Sequence, residues 1–272
     1  MRFLELRGGD KVPVLGLGTW RMGERARDIA AEIAALKLGL DLGMNLIDTA
    51  EMYGDGGAEE IVREAMSGRR EEVFLVSKVL PQNASRKGTV RACETSLKRL
   101  GTDRLDLYLL HWHGGIALEE TLEAFAALEK AGKIRHWGVS NFDKSDMQEL
   151  KATPAANQVL YNLSRRGIEW GLLPWCREHR VFVMAYSPIE QGRILRNRAL
   201  TRLARERGCS AAQLALAWVL SRDGLVAIPK ASSLDHVKEN RAALDMTLST
   251  EEHAALDAAF PPPTAAHPLE ML

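Results

Sequence analysis

The sequence predicts an α/β protein, a (β/α)8 TIM-type barrel with an N-terminal β-hairpin and extra C-terminal helices. Three observations carry that expectation. Eight short apolar runs alternate with helix-like segments at a spacing of roughly 25–35 residues. The runs are continuously apolar rather than alternating, which suits parallel strands covered on both faces. No G-x-G-x-x-G joins the first run to a helix, which disfavours an open doubly wound sheet. Right-handed βα units of this number close on themselves.

Residues 3–14 read as a hairpin. Phe3, Leu4 and Leu6 precede the turn Gly8-Gly9-Asp10, and Val12 and Val14 follow it. Leu15 to Trp20 is the first barrel strand, and its glycines let another backbone or a ligand come close. A helix over about 26–42 leads to a strand at 45–49. Helices over about 57–67, 88–100 and 117–131 lead to strands at 73–78, 105–111 and 134–140. Gly101 and Gly132 stop the second and third of these helices as C′ residues. Shorter helices near 143–151 and 169–179 lead to strands at 157–161 and 181–186. Helices near 199–207 and 210–221 precede the last strand, 225–228. Two more follow near 234–243 and 250–259, then an irregular tail from Pro261. No linker, low-complexity block or break interrupts the pattern, so residues 1–272 are read as one domain.

Composition narrows the function classes. Lys+Arg and Asp+Glu each number 36, so the formal net charge is zero. That balance gives no electrostatic reason to bind nucleic acid or an anionic membrane, and any phosphate site must be a local cluster. Cys93, Cys176 and Cys209 are odd in number and widely spaced, which fits reduced thiols better than disulfides or zinc. The first residues, Met1 to Leu6, lack an apolar signal-peptide core, and no run approaches the roughly 18 apolar residues of a membrane span. A soluble, cytoplasmic, monomeric protein is expected.

The centre of the chain is Leu46-Ile47-Asp48-Thr49-Ala50-Glu51-Met52-Tyr53-Gly54. An apolar run ends in a carboxylate, and a tyrosine follows five positions later. Two later runs end similarly, at Lys78 and His111. In a barrel of this kind, chemistry sits at the C-terminal strand ends, so Asp48, Tyr53, Lys78 and His111 should share one mouth. Taken singly, each has an ordinary role: a turn former, rim packing, a snorkelling lysine, a satisfied histidine. Jointly they suggest chemistry. Burying Lys78 is costly unless it is paired, and Asp48 is the partner to hand. An ammonium beside a phenol favours the phenolate, so Lys78 is expected to lower the Tyr53 pKa toward working pH. Such a phenol can pass a proton to a developing alkoxide, with His111 orienting the carbonyl oxygen. No Ser/His or Cys/His pairing offers a nucleophile, and the set is poor for a metal. An acid with neither needs a cofactor to carry the electrons.

These residues, with others in order along the chain, resemble the aldo-keto reductases. The similar motifs are Leu15-Gly16-Leu17-Gly18-Thr19-Trp20, Ile47-Asp48-Thr49-Ala50 through Tyr53-Gly54, Val76-Ser77-Lys78 and Tyr108-Leu109-Leu110-His111-Trp112. Gly138-Val139-Ser140-Asn141-Phe142, Asn157-Gln158, Ala185-Tyr186-Ser187-Pro188 and Ile228-Pro229-Lys230 continue the series. The resemblance implies NAD(P)H-dependent carbonyl reduction with Asp48, Tyr53, Lys78 and His111 as the catalytic tetrad and Tyr53 as general acid. It also implies a cofactor site. Ser140, Asn141 and Gln158 would bind the nicotinamide carboxamide, and Tyr186 would stack on the ring. Thr19, Trp20 and Asp48 would lie near the nicotinamide end. Ser187, Pro188, Ile189 and Gly192 would line the pyrophosphate, and Ile228, Lys230, Ser232, Ser233, His236, Glu239 and Asn240 would serve the adenosine.

One departure bears on the cofactor. Many NADPH-using members carry Arg six residues after the position of Lys230, where this chain has His236, and often Ser where Ala231 stands. An Arg can clamp a 2′-phosphate bidentately and a neutral His cannot. Lys230 with Ser232 and Ser233 can still take that phosphate, so NADP(H) is the preferred cofactor, with NAD(H) as a second possibility. Trp20, Met22, Met52, Tyr53, His111 and Trp112 are expected to wall the substrate side, in a mouth left open by a short tail. The stretch Glu51 to Ala58, the segment Ile228 to Asn240 and the end Leu269-Glu270-Met271-Leu272 resemble a bacterial branch that reduces methylglyoxal. Small aldehydes and α-oxoaldehydes are the leading substrates, with a diketo-sugar acid as the alternative. A nucleotide-holding regulatory subunit is a third reading, disfavoured because all four tetrad positions are filled.

Overall fold

A computed structural model describes residues 1–272. The chain opens with β1 (Phe3–Glu5) and β2 (Lys11–Pro13), an antiparallel hairpin. Eight parallel strands follow in sequence order, each hydrogen-bonded to the next: β3 (Leu17–Gly18), β4 (Leu46–Asp48), β5 (Phe74–Val79), β6 (Leu105–Leu110), β7 (Ile134–Ser140), β8 (Ala156–Leu160), β9 (Phe182–Tyr186) and β10 (Leu225–Ala227). The first and last meet. Gly16 donates its N–H to the Ala227 carbonyl (2.9 Å), and Ala227 donates to Val14 (2.9 Å). Further along, Gly18 donates to Pro229 (3.1 Å). These bonds close the sheet into the expected barrel. The glycines of the first strand do what their position suggested. A Cβ on Gly18 would lie 2.7 Å from the Ile228 carbonyl oxygen, so a side chain there would force the seam apart.

Two packed layers follow from the alternation of side chains along each strand. Leu46, Val76, Leu107, Leu109, Met184 and Val226 point inward and fill the barrel. Leu6 and Val12 of the hairpin join them and plug the end where the strands begin. Asp10 in the hairpin turn meets His136 at 2.8 Å, early in β7. Outward-facing residues such as Leu75, Val79, Val139 and Val183 pack under the helices. With the bottom plugged, the opposite end is the mouth available for chemistry.

The helices are α1 (Ile29–Asp41), α2 (Gly57–Ala65), α3 (Arg86–Leu100), α4 (Leu118–Lys130), α5 (Lys144–Glu149), α6 (Leu172–Glu178), α7 (Arg198–Arg207), α8 (Ala211–Leu220), α9 (Leu234–Ala243) and α10 (Thr250–Ala259). Their ends follow local chemistry. Ser85 caps α3, accepting from Gly88 N–H (3.1 Å), and Gly101 ends it in the left-handed region. Reciprocal capping boxes start α5, α8 and α10.

Several elements are shorter than the sequence suggests, for identifiable reasons. The first strand stops at Gly18 because Thr19 to Met22 turns back on itself, with Met22 N–H bonded to Thr19 and Arg21 at φ 63°. The segment 169–179 begins as a short 3-10 turn (Gly167–Glu169), and α6 starts only at Leu172, with Pro174 in its first turn, where proline is tolerated. No helix is long and apolar enough to cross a membrane.

Candidate active site

Asp48 is the last residue of β4, Lys78 sits near the end of β5, and His111 directly follows β6. Consecutive strand ends therefore present all three at one mouth. Tyr53 comes from the turn after β4, where Gly54, Asp55 and Gly56 have φ of 57°, 53° and 94°. Three left-handed residues in a row reverse the chain sharply; glycine takes two of them without strain, and the third falls on Asp55, a residue type that tolerates this region better than most. A Cβ on Gly54 would lie 2.8 Å from the Met22 carbonyl oxygen.

The four side chains converge. Lys78 is 0% exposed, and its ammonium donates to Asp48 Oδ2 (2.9 Å), the Thr49 carbonyl (2.8 Å) and the Tyr53 hydroxyl (3.2 Å). Its three donors are thereby all used. Because the Tyr53 oxygen accepts from Lys78, its own O–H stays available to another acceptor. The His111 ring stands edge-on to Tyr53, with centroids 5.8 Å apart. His111 Nδ1 is buried and has no hydrogen-bond partner in the protein.

The electrostatics depart from the sequence expectation at one point. Burial raises the Tyr53 pKa above the ordinary phenol value, and the nearby Lys78 cation only partly offsets it, while Asp48 adds to the rise. The phenol is thus held protonated rather than drawn toward phenolate. The sequence could show the cation but not the dryness around it. For Lys78, burial works against the charge, but Asp48 and Tyr53 outweigh it and raise its pKa. His111 is pushed down to about 2, mainly by burial and then by Lys78, so its ring is neutral.

Around this centre the remaining expected residues fall into groups. Thr19 is buried and donates its hydroxyl to the Asp48 carbonyl (3.0 Å). Gln158 donates to Asp48 Oδ1 (2.8 Å), so it reaches into the same cluster. Ser140 ends β7, and Asn141 follows at φ 59°. Asn141 Nδ2 donates to the His111 carbonyl and to Ser140 Oγ (3.1 Å each), and Tyr186 donates its hydroxyl to Asn141 Oδ1 (3.0 Å). This ring of polar groups joins the ends of β6, β7 and β9. Trp20 (38% exposed) and Met52 (37% exposed) line the rim, and Trp112 is half-buried against His111.

Two expected contacts are corrected. Met22 is 0% exposed, so its side chain is core packing and cannot wall a substrate. The Ile228 side chain is buried among the residues filling the barrel, so only its backbone could face a ligand.

The loop after β9 has Ser187, Glu190, Gln191 and Gly192 at φ of 47°, 51°, 53° and 82°. Backbone of this handedness forms concave N–H nests that take anions. Pro188 is buried in this loop and Ile189 packs on the core, so both shape it from beneath. Lys230 is exposed beyond β10, with Nζ 3.1 Å from Ser232 Oγ. Ser233 accepts from His236 N–H (3.3 Å), so its hydroxyl caps α9. His236 is exposed, Glu239 half-buried and Asn240 buried on the same helix. A left-handed turn on one loop and an exposed lysine ahead of α9 are of the kind that take phosphate groups.

The sequence did not single out what supports that loop. Asn162 Nδ2 donates to the Ser187 carbonyl (2.9 Å) and to Glu190 Oε2 (2.7 Å). Arg165 and Arg193 also bind Glu190 Oε1 (3.1 and 2.9 Å). Burial works against the Glu190 charge, but these partners hold its pKa below the usual carboxylate range. Arg165 also meets Glu270 in the tail (2.5 Å), and Leu269 packs against the core. The tail therefore packs against the turn after β8 that supports this loop. The polar run Asn162 to Arg166 just past β8 was the available signal.

The fold and this cluster define a (β/α)8 barrel enzyme with a buried lysine–carboxylate–phenol group at its mouth. The chain belongs to the aldo/keto reductase family, whose pattern matches residues 14–260. It is 52% identical to methylglyoxal reductase YeaE of Escherichia coli K12, over 100% of this chain and 99% of that protein. It is 34% identical to a glyoxal reductase of Bacillus subtilis 168, over 94% and 91%. A solved aldo/keto reductase of Klebsiella pneumoniae, in complex with NADP and acetate, is 51% identical and superposes with a TM-score of 0.96 over 99% of both chains.

Proposed function

We propose that this protein reduces small aldehydes and α-oxoaldehydes such as methylglyoxal to alcohols with NADPH. The observation that carries the reading is the Lys78 tripod, which leaves the O–H of the buried Tyr53 as a free donor. Asp48 and Thr49 hold the ammonium, and the ammonium holds the phenol. A protonated Tyr53 can then give its proton to an oxygen that gains charge, and Lys78 stabilises the phenolate left behind. The neutral His111 ring supplies a second polar contact for that oxygen without adding charge. Ser140, Asn141, Gln158 and Tyr186 would hold the nicotinamide end, the Ser187–Gly192 loop the pyrophosphate, and Lys230 with Ser232 the adenosine phosphate. When bound, the dinucleotide supplies a hydride to the carbonyl carbon. The NADP-bound relative and the methylglyoxal and glyoxal reductases support this choice of cofactor and substrate class.

The test is consumption of NADPH absorbance with methylglyoxal. Tyr53→Phe should lower turnover by about 10²–10⁴-fold while NADPH still binds. Turnover unchanged in that variant would remove Tyr53 from the proton-donor role.

A further inference from the structure

We infer that Glu59 is a positioning residue for the Tyr53–Lys78 pair, acting through the Ser77 hydroxyl from behind the sheet. The inference rests on the reading of Tyr53 as proton donor. Glu59 is the third residue of α2, which runs straight on from the Tyr53 turn. Its side chain is 0% exposed. Ser77 immediately precedes Lys78 in β5 and, by alternation, points to the helix side while Lys78 points to the mouth. Ser77 donates its hydroxyl to Glu59 Oε1 at 2.7 Å. One short bond thus ties the element that carries Tyr53 to the strand that carries Lys78, one residue from the lysine itself. Arg99 of α3 completes the group, donating to Glu59 Oε2 at 3.3 Å. Its guanidinium also occupies the place of a side chain on Gly56, where a Cβ would lie 2.5 Å from Arg99 Cζ. The Tyr53 turn is therefore clamped from the outside by the same cluster.

Stability alone is a poor reason for this arrangement. A buried carboxylate and its ion pair are often matched or bettered by apolar residues of similar volume. Burial here disfavours the charged form of Glu59, with Ser77 and Arg99 only partly offsetting it. What the hydrogen bond supplies is a fixed distance between two elements whose side chains must meet at 3.2 Å.

The experiment compares Ser77→Ala, Glu59→Ala and Glu59→Gln in the full-length enzyme with NADPH and methylglyoxal. It reads kcat, KM, NADPH Kd by fluorescence quenching, and Tm. A misplacement near 1 Å costs roughly 10²-fold in rate, so Ser77→Ala and Glu59→Ala should lower kcat by about 10- to 100-fold, with NADPH Kd moved less than twofold. Glu59→Gln keeps an acceptor for Ser77 and should stay within about threefold of the parent. Ser77→Cys keeps the volume but weakens the donor and serves if Ser77→Ala does not accumulate. A folded Ser77→Ala or Ser77→Cys protein with kcat within twofold of the parent overturns the proposal, as does a loss confined to Tm. Tyr53→Phe in the same assay separates the two readings. If it retains turnover, the proton-donor assignment has failed. If it loses turnover while Ser77→Ala keeps it, only the positioning role has failed.

Discussion

Lowering the pH from 7 to 5 should destabilise the folded protein by about 2 kcal/mol through His111 alone. Its ring is buried beside the Lys78 ammonium, and those two causes push its pKa from the ordinary 6.5 to about 2. The unfolded chain takes up a proton below 6.5, and the folded chain does not. Stability therefore depends on pH through the difference in bound protons. The contribution is complete above pH 6.5, falls as the pH drops through that value, and keeps falling toward 2. Well inside the window the loss is about 1.36 kcal/mol per pH unit. Between pH 7 and 5 the unfolded-state protonation of one such histidine comes to about 2 kcal/mol. Urea unfolding of the parent and of His111→Gln at both pH values isolates the effect, because the other histidines are common to both proteins. The parent should lose about 2 kcal/mol more than the variant. Equal losses in the two proteins would show that His111 is not held neutral in the fold. The same burial means that no His111 titration should appear in the pH profile of turnover near neutrality.

Further outcomes follow from other parts of the site. Lys78→Met leaves Asp48 buried without its cation, and breaking such a pair costs about 3–5 kcal/mol. Adding Asp48→Asn should recover part of that loss in a urea titration, while turnover stays abolished in both proteins. His236→Arg places a guanidinium beside the proposed 2′-phosphate site. A charge-assisted bond of about 1.5–3 kcal/mol there should tighten NADPH binding by roughly tenfold or more while NADH is unaffected, as read by fluorescence titration of both cofactors. Asn162→Ala frees the Ser187 carbonyl and Glu190 together. It should weaken NADPH binding by about tenfold, corresponding to about 1.4 kcal/mol, with kcat at saturating cofactor little changed.

The barrel was legible because its signals are local. Continuous apolar runs and helix stops such as Gly101 act within a few residues, and they marked every strand and α-helix to within a few positions. The tetrad was legible for a related reason. Once the runs are parallel strands, Asp48, Lys78 and His111 lie at the same end of neighbouring strands by topology alone. Element edges were less clear where a distant contact or a turn took over, as at Thr19 to Met22 and at Pro174.

The number, order and type of elements, and the end of the barrel where the polar residues gather, were already set by residue pattern, since helix and strand periods and turn chemistry need no partner far along the chain. The folded arrangement alone settled which way those polar groups behave. The Tyr53 proton is retained because burial outweighs Lys78, and burial is a sum over neighbours from many strands. The same holds for Met22, which points into the core, and for Glu59, whose carboxylate looks like an ordinary first-turn acid until β5 is packed behind it. Distances of about 3 Å between residues dozens of positions apart depend on register and barrel closure, and no local stretch of sequence contains either.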